Sequence, residues 1–267
     1  MKITHALLGA KILLTGVTSA AAHTAYMKPT AFDVTRARAI TLMSSFTDDF
    51  SNPEIGVKSE DWHYIAPNGV RYSYDNVLEL KQVTVLENTL PQEGTYRFTS
   101  GERLGRVGKM IRTADGAYKM AVNEDGNEVS PGEGETLITS QTATVSDVYV
   151  SKGAPTQAAI DSRIGRLVFA PVTHPNEIYL DEGFELDILF DGAPLADQEL
   201  ELVREAGAYA EDKGAYKVST DENGRLSLRF DQPGVYLLMT RHRADAPKGA
   251  ETDIRSYTTS LTFEVTR

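Results

Sequence analysis

Alternation of apolar and polar residues with a period of two is clearest in the second half of the chain. Phe184, Leu186, Ile188 and Phe190 share one face of an extended segment, as do Leu226, Leu228 and Phe230, and Leu261, Phe263 and Val265. Charged residues such as Glu185, Asp187, Arg229 and Glu264 take the opposite face, the pattern of a half-buried strand. Runs at 178–180, 199–203, 216–219 and 235–240 raise the expectation to about seven short strands after His174. Asp191-Gly192-Ala193-Pro194-Leu195 marks a strand connection, and Asn223-Gly224 inside 220–225 predicts a tight hairpin, because both residues tolerate positive φ. An all-β fold with an antiparallel sandwich of immunoglobulin-like or transthyretin-like type follows.

The first half reads as shorter strands. Residues 26–29, 39–46, 83–86 and 142–150 are β-branched or alternating, and 94–99 sets Tyr96 and Phe98 on one face. Residues 62–66 and 70–72 flank Pro67-Asn68-Gly69 as a hairpin would, and 109–112 faces 118–121 across Ala114-Asp115-Gly116. The one helical signal is 155–164, where Thr156 stands as a cap before Ala158 and Ala159. Residues 123–136 are polar and glycine-rich and read as a mobile surface loop; the acidic stretch 123–128 lacks the ligand pattern of a calcium loop and reads as a turn. Prolines at 171 and 175 bracket a stiff joint, which divides the chain into a β-rich region at 23–171 and a seven-stranded sandwich at 172–267.

The first 22 residues belong to neither region. Lys2, an apolar stretch from Ala6 to Val17 interrupted by Lys11, and the small residues Ala20-Ala21-Ala22 have the layout of an export signal. Cleavage after Ala22 would leave His23 as the first residue, with its α-amino group beside its imidazole; cleavage after Ala21 would leave Ala22 there instead. No later stretch is long and apolar enough to span a bilayer as a helix. The sequence holds no cysteine, so neither disulfides nor thiolate chemistry is available, which suits a bacterial periplasm. A formal net charge of −11 disfavours nucleic acid and anionic membranes as partners and is compatible with cations.

Hydrolytic signatures are missing: there is no Gly-x-Ser-x-Gly, no His-Glu-x-x-His and no glycine-rich phosphate cradle. That favours a non-enzymatic role. Four histidines follow the leader, and His23, His63 and His242 are the candidate metal ligands, since neutral imidazole suits nickel, cobalt, copper and zinc. No spacing among them defines a site, and His63 and His242 also fit surface or hydrogen-bonded structural roles; His174, beside Pro175, reads as a linker residue. Acid pairs such as Asp48-Asp49 and Glu60-Asp61 read as solvated surface in so acidic a chain. The competing reading is a glycan- or protein-binding module in which Tyr26, Trp62, Tyr64, Tyr72 and Tyr74 offer rings for stacking. A copper-bound histidine brace is a more distant third.

Several of these segments carry a resemblance. Ala22-His23 followed by a strand and Pro29, His174-Pro175-Asn176-Glu177-Ile178, the Asp191–Ala196 turn, Thr220-Asp221-Glu222-Asn223-Gly224-Arg225, Pro233-Gly234-Val235-Tyr236 and Ser260-Leu261-Thr262-Phe263 together resemble the exported family called domain of unknown function 4198. The chain departs from the family's usual pattern after His23, with Thr24-Ala25-Tyr26-Met27 where a bulkier aromatic pair is common. The resemblance implies a bacterial envelope protein, in a family some of whose members accompany nickel or cobalt uptake systems. The resulting expectation is a periplasmic binding or accessory protein for nickel or cobalt, with copper and zinc as alternatives and an envelope transporter as partner.

Overall fold

The computed structural model describes residues 23–50, 52–123, 125–205 and 215–267. The leader lies outside them. Among the described residues there is no helix, and the strands form three sheets. The first outer sheet runs β1 (Thr24–Pro29), β2 (Ala39–Thr47), β7 (Thr84–Thr89), β6 (Asn76–Glu79), with β3 (Ile55–Gly56) added to β2. The central sheet runs β16 (Ala215–Ser219), β15 (Glu199–Arg204), β18 (Gly234–Asp245), β19 (Ile254–Val265), β11 (Thr136–Lys152), β8 (Gly94–Thr99), β4 (His63–Ile65), β5 (Arg71–Tyr72). A long arm of β9 (Arg103–Arg112) and β10 (Tyr118–Met120) pairs with the outer part of β11. The second outer sheet holds β12 (Leu167–Pro171), β13 (Phe184–Phe190), β14 (Ala193–Pro194) and β17 (Arg225–Leu228).

Side-chain alternation makes this a three-layer arrangement with two sandwich cores. Val148 and Val150 of β11 point with Tyr96 and Phe98 into a core shared with Met27, Leu42 and Leu86 of the first outer sheet. Tyr149, between those valines, points the other way, into a core with Phe184, Leu186 and Ile188 of the second outer sheet and Leu261 and Phe263 of β19. The strand is therefore buried on both faces from residue 143 to residue 151, which its mixed sequence of Val, Ser, Asp and Tyr does not advertise. The joint expected at 171/172 is crossed by the central sheet. Strand β11 pairs in parallel with β19, from Ser140 opposite Ile254 to Val148 opposite Thr262, and β12 pairs with β13.

The two halves are also tied by side chains at this joint. Thr95 Oγ1 bonds His174 Nε2 at 2.9 Å and Ser151 Oγ at 3.0 Å; Ser151 Oγ donates to Asn176 Oδ1, and Asn176 Nδ2 donates to the Tyr149 carbonyl, both at 2.9 Å. The Asn176 amide donates to His174 Nδ1 at 3.1 Å, which leaves Nε2 carrying the proton.

Several local expectations hold. Tyr64 pairs with Tyr72 across the Pro67-Asn68-Gly69 turn, with Gly69 at φ 78°, and Arg112 pairs with Tyr118 across the second turn. Others change. Residues 155–164 make a single turn, with the amides of Ile160 and Asp161 donating to the Gln157 carbonyl, because Ala159 and Ile160 are drawn into the packing and Gly165 at φ 72° turns the chain away. Residues 178–180 make one bridge, Tyr179 to Thr266, rather than a strand. The 123–128 stretch is a surface turn in which the Gly126 amide donates to the Asn123 carbonyl; Glu124 lies outside the described residues.

The Asn223-Gly224 turn differs most. It does not join paired strands but carries the chain from β16 in the central sheet to β17 in the second outer sheet. Asp221 organises it, its Oδ1 accepting the amides of Asn223 and Arg225 at 2.8 Å. Gly224, at φ 73°, lies so close to the neighbouring backbone that a Cβ would sit 2.8 Å from the Leu195 nitrogen and 3.1 Å from the Ile188 oxygen. Replacing Gly224 with alanine is expected to lower the unfolding free energy by about 1–3 kcal/mol, read as a drop in urea midpoint at unchanged m-value. An unchanged midpoint would show that the turn relaxes freely.

Candidate functional site

His23 stands immediately before β1, and Thr24 pairs with Thr47 at the end of β2. That register sets His23 beside the turn leaving β2. The turn is locked by Thr47, whose hydroxyl donates to the Asn52 carbonyl at 2.6 Å and to the Asp49 carbonyl, and accepts the Asp49 amide at 2.9 Å. The chain then doubles back: the Glu54 amide donates to the Phe46 carbonyl at 3.1 Å and Ile55 pairs with Phe46. Glu54 is thereby returned to the level of Asp48, whose amide donates to Glu54 Oε1 at 3.2 Å.

Three side chains converge as a result. His23 Nε2 lies 2.8 Å from Glu54 Oε2, and His23 Nδ1 lies 3.4 Å from Asp48 Oδ1. One ligand atom from each of the three falls within 4.8 Å of the others. One imidazole and two carboxylates form a mixed nitrogen and oxygen donor set for a divalent first-row metal. The His23, Asp48 and Glu54 side chains are 42%, 43% and 32% exposed, so the set faces solvent on one side and leaves coordination positions open.

The other histidines are elsewhere, each with its own neighbours. His63 is buried on β4, its Nδ1 2.6 Å from the Asp61 carbonyl, with Arg71 binding the Asp61 carboxylate at 2.5 Å. His242, on β18, packs its ring 4.6 Å from that of Phe190, near the Arg166–Asp191 pair. The ligand set that geometry supports is thus His23 with Asp48 and Glu54, rather than His23 with His63 and His242. Sequence reading dismissed Asp48 as solvated surface and did not single out Glu54. Asn52-Pro53 signals a turn after β2, but which residue returns beside Asp48 is set by the pairing of Ile55 with Phe46.

The aromatic residues proposed for stacking mostly face inward. Tyr26, Tyr64 and Tyr74 are buried; the Tyr64 and Tyr74 rings lie 5.7 and 5.9 Å from that of Phe98, and Tyr26 packs edge-on to Phe50. Trp62 packs edge-on against Tyr74, and Tyr72, 41% exposed, is the ring of this group that meets solvent substantially.

Burial holds the imidazoles of His63, His174 and His242 below their ordinary value of 6.5. The unfolded chain therefore takes up protons that the folded protein refuses, and stability falls as pH drops below about 6.5. Urea unfolding at pH 7.5 and 5.5 is expected to show a lower midpoint at the acid end, with a smaller drop in His63→Gln. Equal midpoints would contradict this.

The family described as domain of unknown function DUF4198 matches residues 20–244. The chain belongs to the DUF4198 family. That match contains His23, Asp48 and Glu54 and continues through most of β18. No curated protein matches this DUF4198 chain in sequence. Among solved structures it is similar to the adhesin InvE of Yersinia pseudotuberculosis, at 14% identity and TM-score 0.22, over 90% of this chain and 58% of that one. It is likewise similar to the D0-D1 domain of intimin, at 11% identity and TM-score 0.21, over 89% of this chain and 96% of that one. Likenesses this distant carry no residue of the DUF4198 site.

Proposed function

We propose that this DUF4198 protein is an exported, non-enzymatic binding protein of the bacterial envelope that holds a divalent transition metal, nickel or cobalt, and hands it to an uptake system. The observation that carries the reading is the convergence of His23, Asp48 and Glu54. Two carboxylates in an acidic protein attract a divalent cation, and the imidazole favours a transition metal over magnesium or calcium, which prefer oxygen alone. The exposure of the set suits a metal taken up and released, where a closed structural site would retain it.

Titration of the purified protein with Ni²⁺, Co²⁺, Cu²⁺ and Zn²⁺ by isothermal calorimetry tests the reading. One equivalent is expected to bind with a submillimolar dissociation constant. If none of the four ions binds in that range, the proposal fails.

A further inference from the structure

Beside the His23 set, and sharing Asp48 with it, lies a small open cleft of about 90 Å³. Its floor is Phe50, Val203, Leu237 and Met239. These residues come together because β15 and β18 run past the end of the first outer sheet: Val203 is paired with Leu237, and Glu201 with Met239, on the face where Tyr26 and Phe50 cover Leu237. The walls thus come from both halves of the chain, a common setting for small-ligand sites, and the space is that of a single side chain rather than of a whole ligand. Asp48 and Glu201 add negative charge at the rim.

Two features of the place have to be explained together. The three side chains supply three donors, and an α-amino group freed at His23 would add a fourth, where nickel or cobalt takes up to six, so positions remain for an outside ligand. A bare hydrated ion would fill them with water and would make no use of an apolar floor next to a ligand carboxylate. Resting on the metal reading above, we infer that the cargo is a metal chelate: a divalent ion carrying one small amino-carboxylate ligand whose apolar side chain lies in the cleft over Phe50 and Met239. A one-to-one complex of M²⁺ with an amino-acid anion keeps a single positive charge and suits the acidic rim. Anionic complexes such as citrate are repelled by Asp48, Glu54 and Glu201.

The test compares three probes on the purified protein by calorimetry: Ni²⁺ alone, Ni²⁺ premixed with one equivalent of glycine, and Ni²⁺ premixed with one equivalent of L-phenylalanine. The two amino acids coordinate identically, so their difference isolates the side chain. The phenylalanine chelate is expected to bind about tenfold more tightly than the glycine chelate, the effect of partly burying one apolar side chain. In Met239→Gln, which keeps the volume of the floor and removes part of its apolar surface, that preference should collapse while Ni²⁺ alone binds as before. Equal affinity of the two chelates, or a preference that survives in M239Q, overturns the inference and leaves the metal reading intact, provided that Ni²⁺ alone binds and His23→Ala abolishes this. Failure of all three probes, or Ni²⁺ binding unchanged in His23→Ala, overturns both. If M239Q does not fold, the comparison of the two chelates on the unaltered protein decides.

Discussion

Replacing Asp147 with alanine is expected to lower the unfolding free energy by about 3–5 kcal/mol, the cost of leaving a buried charge without its partner. Asp147 lies on β11 inside the central sheet and binds Arg97 Nη2 at 2.5 Å; the two side chains are 6% and 2% exposed. Arg97 is one of the largest fully buried side chains of the protein. Its Nη1 donates to the Ser162 carbonyl at 2.6 Å and to Ser162 Oγ at 3.1 Å, and its guanidinium lies 5.7 Å from the centre of the Tyr149 ring. Loss of the carboxylate strands the guanidinium between the central sheet and the 155–165 segment, shut off from bulk solvent. Urea unfolding of Asp147→Ala reads the loss. The double variant Arg97→Met with Asp147→Leu, which removes both charges, should recover most of the stability, since an apolar pair of similar volume needs no partner. A single variant within about 0.5 kcal/mol of the unaltered protein would mean that the pair is not buried as described.

The second large effect concerns the metal. His23→Ala is expected to weaken Ni²⁺ binding by at least about 100-fold, more than the 10–100-fold typical of groups that only orient a ligand. Glu54→Gln and Asp48→Asn should each weaken it as well, because each replaces an anionic donor by a neutral one. Glu54 is held in place at its second oxygen by the Asp48 amide, so E54Q changes the charge with little change in position. All three side chains are at least a third exposed or close to it, so these substitutions should leave the unfolding free energy within about 0.5 kcal/mol. Loss of affinity at unchanged stability separates a ligand from a residue that merely holds the turn. His63→Gln and His242→Gln should leave Ni²⁺ affinity unchanged, since neither side chain belongs to the set.

The strands were legible where one face is wet. Phe184 to Phe190 and Leu226 to Leu228 alternate because the second outer sheet has a core face and a solvent face, and period two records that directly. Strand β11 was harder to read as a shared element because both its faces are buried, one by each core, and its polar members Ser146 and Asp147 bond to distant residues, Ser100, Ser260 and Arg97, with Asp147 Oδ1 left unpaired. Propensity failed at 155–164, where Ala158 and Ala159 favour a helix but tertiary packing takes Ala159 and Ile160 into the interior after one turn. The Asn223-Gly224 pair was read correctly as a turn and incorrectly as a hairpin, since local chemistry fixes the positive φ and says nothing about which sheets the flanking strands join.

The candidate site shows the same limit. His23 was legible because it follows a stretch whose sequence has the layout of an export signal, and the family resemblance pointed to the same residue. Asp48 and Glu54 were not, because their meeting with His23 depends on the register of β1 against β2 and on the return of the chain at Ile55, neither of which any single segment encodes. The cleft beside them depends on still more distant partners, with Phe50 and Leu237 brought together only by the stacking of the first outer sheet on the central one.

The central claim is that a transition metal sits among His23, Asp48 and Glu54, and anomalous diffraction at the nickel edge from crystals soaked in Ni²⁺ tests it most directly. The expected result is one strong anomalous peak about 2.0–2.2 Å from a His23 ring nitrogen and from carboxylate oxygens of Asp48 and Glu54. A peak at His63, His174 or His242 with none at His23 would contradict it.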